Sequence, residues 1–172
     1  MKRSELSAVF KEHKDAVYGF AYRMTGSAFD AEEVCQDCFL ALLGDAATFD
    51  PRRGTWRCFL IGVTRNLVLK RWRSEGRFDT IEDHEGLVER VDPSSRETSE
   101  LVAQAVGALP PLQREALILA EYEGFTLKEI AETVEAEVGT VKARLHRARQ
   151  NLRHALAPLA PTAGVKQHAT TQ

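Results

Sequence analysis

Residues 126–152 read TLKEIAETVEAEVGTVKARLHRARQNL, and this stretch decides the fold. Thr126 followed by Glu129 has the form of a capping box, which places a helix start at Thr126. Leu127, Ile130, Ala131 and Val134 then recur at helical spacing and predict a buried stripe. Glu135 to Val138 breaks the pattern as a short turn. A second periodic run follows, Val138, Val141, Leu145, Ala148, Leu152 and Leu156, whose spacings put all of them on one helix face. At about 100° per residue, Ala143, His146, Arg147 and Gln150 point away from that face, with Lys142 and Arg149 on one flank and Arg144 on the other. A capped helix, a short turn and a cationic second helix without carboxylates predict a helix-turn-helix entering the major groove of a duplex. The bland account is a solvated basic face near a helix C-terminus, and the capped helix just before it argues for the sharper one. Ala143 would let the backbone approach bases, Arg147 could bond a guanine edge, and the flanking cations would meet phosphates. Thr140, near the helix amino end, can offer its hydroxyl and neighbouring N–H groups to a phosphate.

Upstream the periodicity stays helical. Leu6, Val9, Phe10, His13, Val17, Phe20 and Met24 predict a first helix. A second is expected from Asp30, with Glu33 completing a capping-box-like pair and Val34, Cys35, Cys38, Phe39 and Leu42 as its stripe. GDAATFDPRRGT reads as a loop around Asp50-Pro51 and Gly54. A third helix, Trp56 to Arg73, carries Trp56, Phe59, Leu60, Val63 and Leu67 on one side. Residues 75–97 have little apolar periodicity and an acidic excess, so a solvated linker is expected. Helices at Thr98–Leu109 and Pro111–Glu123 precede the helix-turn-helix, and Pro158 and Pro161 stop the last helix. The prediction is an all-α chain of two small domains, 1–74 and 98–158, joined by the acidic linker and followed by a polar tail, 159–172.

Composition is compatible with an ordinary folded chain: 44% apolar, 28% charged and a net charge of −2 over 172 residues. No run of about 18 apolar residues predicts a membrane helix. The charged N-terminus is unlike a signal peptide, so the expected location is the cytoplasm. The small net charge hides segregation. Residues 25–50 hold six carboxylates and no Lys or Arg, whereas 51–74 hold seven Lys or Arg and no carboxylate. From Val138 onward there are six bases and no acid. Two cationic blocks separated by acidic ones predict two contacts on an anionic partner, with acidic surfaces facing something else.

The stretch from Leu109 to Leu152 closely resembles region 4 of bacterial extracytoplasmic-function sigma factors. DAEEVCQDCFLALL resembles their region 2.2, and FLIGVTRNLVLKRWR their regions 2.3–2.4. The resemblance spans about residues 6 to 156. It implies a promoter-specificity subunit of RNA polymerase with domains 2 and 4 only. By similarity, Lys142, Ala143, His146 and Arg147 would contact the −35 duplex, and Thr140 and Arg144 of the same helix would join them at phosphates. Asn66 matches the asparagine beside a pocket for a flipped −10 base, and the loop Ala46 to Thr55 matches the family's specificity loop. Lys70, Arg71 and Arg73 would meet backbone phosphates. Trp56 and Phe59 would offer aromatic faces, Phe59 standing where the family usually has tryptophan. That agrees with the way cationic grooves with aromatic platforms hold single strands, although both residues also lie on the apolar stripe expected of a core. Asp30, Glu33, Gln36, Asp37 and Phe39 fall on the motif that docks the clamp helices of core RNA polymerase. The implied partners are core polymerase, promoter DNA and an anti-sigma factor.

The residues also allow a stand-alone helix-turn-helix regulator, or a thiol or zinc sensor built on Cys35 and Cys38, with Cys58 available. A lone CxxC on a buried stripe is weak evidence for either chemistry. No nucleophile–base set or phosphate loop points to an enzyme, and no metal or cofactor is expected.

Overall fold

The computed structural model describes residues 2–45, 49–77, 86–94 and 96–161, and every regular element among them is helical. In chain order these are α1 (Arg3–Thr25), α2 (Ala28–Asp45), α3 (Trp56–Ser74), α4 (Thr98–Ala108), α5 (Pro111–Leu117), α6 (Leu127–Val134) and α7 (Val138–Ala155). The polar tail after Pro161 and much of the acidic linker lie outside the described residues.

Local chemistry sets most of the boundaries. Gly26 ends α1 with φ of 69°, a left-handed conformation that costs glycine little. The start of α2 differs from the expectation by two residues. Ser27 rather than Asp30 accepts at the helix entrance, its Oγ lying 3.2 Å from the Asp30 N–H. Thr55 caps α3 by accepting from the Cys58 N–H at 3.2 Å, which leaves Trp56 in the first turn. Pro111 opens α5 where its missing N–H does no harm. The helix predicted as Pro111–Glu123 loosens after Leu117 into a wide π turn over Ile118–Tyr122, closed by the Glu123 N–H on the Ile118 carbonyl at 3.0 Å. This widening brings Tyr122 and Glu123 toward the first half of the chain.

The capping box of α6 forms as expected: the Thr126 N–H donates to Glu129 at 2.8 Å, and the Glu129 N–H donates to Thr126 Oγ1 at 3.2 Å. Its C-terminal turn is less ordinary. The N–H groups of Glu135 and Ala136 both turn back on the Ala131 carbonyl, a reversal that needs a left-handed residue. Glu135 supplies it at φ of 54°, where glycine is the usual choice.

The two helical domains pack against each other, and part of the linker between them is docked rather than solvated. The main core is continuous across the predicted boundary: Phe20, Met24, Ile61, Val68 and Trp72 from α1 and α3 pack with Val106, Leu109, Ile118, Phe125 and Ile130. A second cluster, Val9, Val17, Cys38, Phe39, Leu42 and Leu60, holds α1, α2 and α3 together. The C-terminal part of the linker is docked rather than solvated. Val91 is buried with Leu101, Ala105 and Ala155, and its N–H donates to the Ala155 carbonyl at 2.9 Å. The Val88 N–H reaches Asn151 Oδ1 at 3.3 Å, and the Asn151 amide donates to Gln113 at 2.8 Å, so that buried polar chain is satisfied. Alternating Val88 and Val91 with charged residues masked this docking in the sequence.

Because Glu135 holds a conformation that strains an L side chain, Glu135→Gly should stabilise the chain by ~0.5–1 kcal/mol. The gain is read as a higher urea midpoint at unchanged slope; a lower midpoint would contradict the assignment of this turn.

Candidate nucleic-acid and protein interfaces

Helix α7 buries Val141, Leu145, Ala148, Asn151 and Ala155 against α5 and α6, so its opposite face is set by the same periodicity. Thr140, Lys142, Ala143, His146 and Gln150 are exposed on that face. Arg144 and Arg147 are half-buried, and each already has an interaction within the protein. Arg149, expected beside a phosphate, instead meets Glu121 at 2.7 Å. Between α6 and α7 lies an open groove of about 340 Å³ lined by Leu127, Lys142, Leu145, His146, Arg149 and Arg153. At the amino end of α7, Glu137 makes no side-chain cap and the first turn carries no acid. The N–H groups near Thr140 therefore keep their preference for an anion.

Helix α3 presents Asn66, Lys70 and Arg73 on a shared exposed face. Arg71 departs from the expected phosphate role. Its guanidinium lies 2.9 Å from Asp30, 2.7 Å from Glu33 and 3.4 Å from Glu75. The sequence assigned Arg71 to DNA and Asp30 and Glu33 to a protein partner, but α2 and α3 lie side by side and bring these opposite charges together. At the amino end of α3 the rings of Phe49 and Trp56 stack with centroids 3.7 Å apart, and Phe59 closes the group at 5.4 Å from Phe49. Trp56 and Phe59 are half-buried against the α1–α2–α3 core, which combines the core and platform expectations. Phe49 was missed; an aromatic residue beside Asp50-Pro51 in an otherwise polar loop was the available signal. Residues 46–48 of that loop lie outside the described residues.

On α2, Glu32, Glu33, Gln36 and Asp37 are exposed and Asp30 is half-buried. Phe39, expected both on the apolar stripe and on the docking motif, is buried as the stripe requires and packs edge-on to Phe10 with centroids 4.8 Å apart. The apolar residues on the outer side are ones that sequence reasoning passed over, Phe29 (65% exposed), Leu40 (53%) and Leu43 (66%). With Glu33 and Gln36 they recur at spacings of three and four along one outer face. An acidic face interleaved with large exposed apolar side chains has the composition of a docking surface rather than a solvated one.

The sigma-70 region 2 family matches residues 9–78, and the sigma-70 region 4 family matches residues 99–152. The chain is 35% identical over 156 residues to the ECF RNA polymerase sigma factor SigE of Mycolicibacterium smegmatis, covering 86% of this chain and 60% of that longer protein. It is 30% identical over 165 residues to the ECF RNA polymerase sigma factor SigW of Bacillus subtilis, covering 86% of each. Among solved structures, the sigma factor RpoE in complex with the anti-sigma factor NepR from Bartonella quintana superposes with a TM-score of 0.69 at 24% identity, over 90% of this chain and 96% of that one. CnrH in complex with the cytosolic domain of CnrY gives the same TM-score at 23% identity, over 92% of both chains. At these identities the structures share the fold.

The thiols fit packing better than sensing. Cys38 is fully buried, lies 3.8 Å from the Leu60 carbonyl and accepts from Thr64 Oγ1 at 3.5 Å. Burial pushes its pKa up to about 11, against the opposing hydrogen bond from Thr64. Burial and then Asp15 also raise Cys35. Redox exchange and zinc ligation both use the thiolate, which this environment disfavours. At pH 8 only about one Cys38 in a thousand would be ionised. Iodoacetamide should therefore modify Cys38 in the native protein only at the rate of its opening, and Cys38→Val should shift stability by less than ~1.5 kcal/mol. Rapid native-state alkylation, followed by mass spectrometry, would sink the packing assignment.

Proposed function

The chain belongs to the extracytoplasmic-function sigma factors of bacterial RNA polymerase, and from that membership we propose how its surfaces divide the work of promoter recognition. The α2 face, with Glu32, Glu33, Gln36 and Asp37 among Phe29, Leu40 and Leu43, docks core polymerase. Apolar side chains supply contact area there, and the carboxylates steer and orient a basic partner surface. Helix α3 captures the unpaired −10 strand, with Asn66 reading an extruded base, Lys70 and Arg73 on phosphates, and the Phe49–Trp56–Phe59 group as its aromatic wall. Helix α7 enters the −35 major groove, where Lys142 and Thr140 position the backbone and His146, Ala143 and Arg147 lie toward base edges.

The observation that carries this reading is the coexistence of two exposed polar and cationic helix faces, on α3 and α7, with an acidic and apolar face on α2. A regulator that bound duplex DNA alone would have no use for the α2 surface. The factor acts by binding, and the polymerase supplies the chemistry. It works where chromosome and polymerase meet, in the cytoplasm. Regulation by an anti-sigma partner fits the fold shared with RpoE and CnrH.

Run-off transcription with purified core polymerase across a promoter library tests the proposal. Wild-type protein should direct initiation from a defined promoter set. His146→Ala and Lys142→Ala should each lower −35-dependent initiation by about 5- to 100-fold without changing core affinity. Asn66→Ala should leave −35 duplex binding intact and slow strand capture. If the protein fails to associate with core polymerase, the sigma reading is wrong.

A further inference from the structure

Helix α3 sends one side chain beneath the outer face of α2. Arg71 stands in the last turn of α3, where its position in the sequence groups it with Lys70 and Arg73. Those two are exposed, whereas the Arg71 side chain is only 26% exposed. Its guanidinium spreads over three carboxylates: Nη2 lies 2.9 Å from Asp30 Oδ1, Nη1 2.7 Å from Glu33 Oε2 and Nε 3.4 Å from Glu75 Oε1. The guanidinium carbon also lies 6.0 Å from the centroid of the Phe29 ring, at the outer reach of a cation–π contact. Phe29 and Asp30 open α2, and Glu33 follows one turn later. One group from the neighbouring helix therefore touches a carboxylate and a ring of the α2 face, together with the half-buried Asp30 behind them.

Coulomb attraction alone disfavours an arginine here, since a face that meets a basic surface loses attraction for every cation beneath it. Geometry offsets that loss. Glu33 is gripped through Oε2, yet its side chain stays 46% exposed, so a partner meets a carboxylate already fixed in one orientation. Ordering a rotamer-rich side chain is one of the costs of association, and here folding has ordered it beforehand. The chemistry of the cation matters as well. A planar fork reaches Asp30, Glu33 and Glu75 at once, whereas a lysine ammonium on a flexible stem would leave their angles loose.

We infer that Arg71 is a positioning residue for polymerase docking: it holds Glu33, with Phe29 beside it, in the orientation that a basic surface of core polymerase accepts. This rests on the sigma-factor reading. It gives to the protein interface a cation whose place between Lys70 and Arg73 would otherwise assign it to DNA phosphate. Two consequences follow from the geometry. Removing the cation weakens docking even though it makes the α2 face more acidic. The loss falls on dissociation, because pre-set geometry acts after encounter while net charge acts before it.

Association and dissociation of the full chain on immobilised core polymerase, followed by surface plasmon resonance, test this role. Arg71→Gln should raise the dissociation rate about 5- to 20-fold and leave association as fast as wild type or faster. Pairs of substitutions read the coupling. Glu33→Gln should cost less affinity in the Arg71→Gln background than in wild type, whereas Glu32→Gln, at a carboxylate Arg71 does not hold, should cost the same in both. Arg71→Lys, which keeps the charge without the fork, should dissociate at an intermediate rate and serves if Arg71→Gln loses helix content. Dissociation no faster than wild type, or additive losses for Arg71 and Glu33, would overturn the inference. So would a loss confined to capture of a −10 single strand by holoenzyme preassembled at saturating core, which would return Arg71 to phosphate. A melting midpoint that falls in step with affinity would reduce Arg71 to a structural tie and overturn it too. Failure of wild type to bind core would sink the sigma reading itself; wild-type binding that Arg71→Gln matches sinks the positioning role alone.

Discussion

Helix α3 has to satisfy neighbours on nearly every side at once, and the rest of the structure follows from how it does so. Leu60, Thr64 and Leu67 meet α1 and α2; Ile61, Val68 and Trp72 join the core shared with the second half; Asn66, Lys70 and Arg73 remain outside. Such a helix cannot show one apolar stripe and one polar face. It places Arg65 in the buried sector, where the charge needs an acceptor because an unpaired buried charge is costly. Glu115, fifty positions away in sequence, is that acceptor, and it ties α5 to α3 beside their shared apolar core.

The charge segregation along the chain acquires a second meaning in this light. Carboxylates of the acidic blocks do not all face a partner. Asp30 and Glu33 neutralise Arg71 between α2 and α3, Glu115 and Glu123 neutralise Arg65 and Arg57 between the halves, and Glu121 holds Arg149 on the helix-turn-helix. Glu32, Gln36 and Asp37 stay outward and exposed. Each cationic helix therefore carries internal carboxylate partners that shield part of its charge, and a strand of nucleic acid must compete with them. Competition of this kind sharpens discrimination, since weak anionic partners cannot displace well-placed carboxylates.

Much of the fold was legible in the sequence because helix periodicity and capping act over a few residues. The Thr126–Glu129 box, the buried Val141, Leu145 and Ala148 and the exposed set Lys142, Ala143, His146 and Gln150 came directly from spacing, whereas Asn151 and Ala155 are buried in place of the expected Leu152 and Leu156. Local signals also had local failures. Ser27, not Asp30, starts α2, because its hydroxyl accepts from the Asp30 N–H and so opens the helix one turn earlier. Phe39 carried two expectations, since its position borders both the stripe and the outer face, and it is buried in the α1–α2–α3 cluster with Phe10 against its edge.

By itself the sequence determined the all-helical class, the helix-turn-helix and the exposed charged faces of α2 and α7, since each depends on the order of side chains within one or two helical turns. Tertiary structure alone decided which charges are spent internally, that Val88 and Val91 dock on the second half, and that the two halves share one core. Those outcomes depend on which helix faces meet across tens of residues. No periodicity along a single helix encodes that Arg65 will find Glu115.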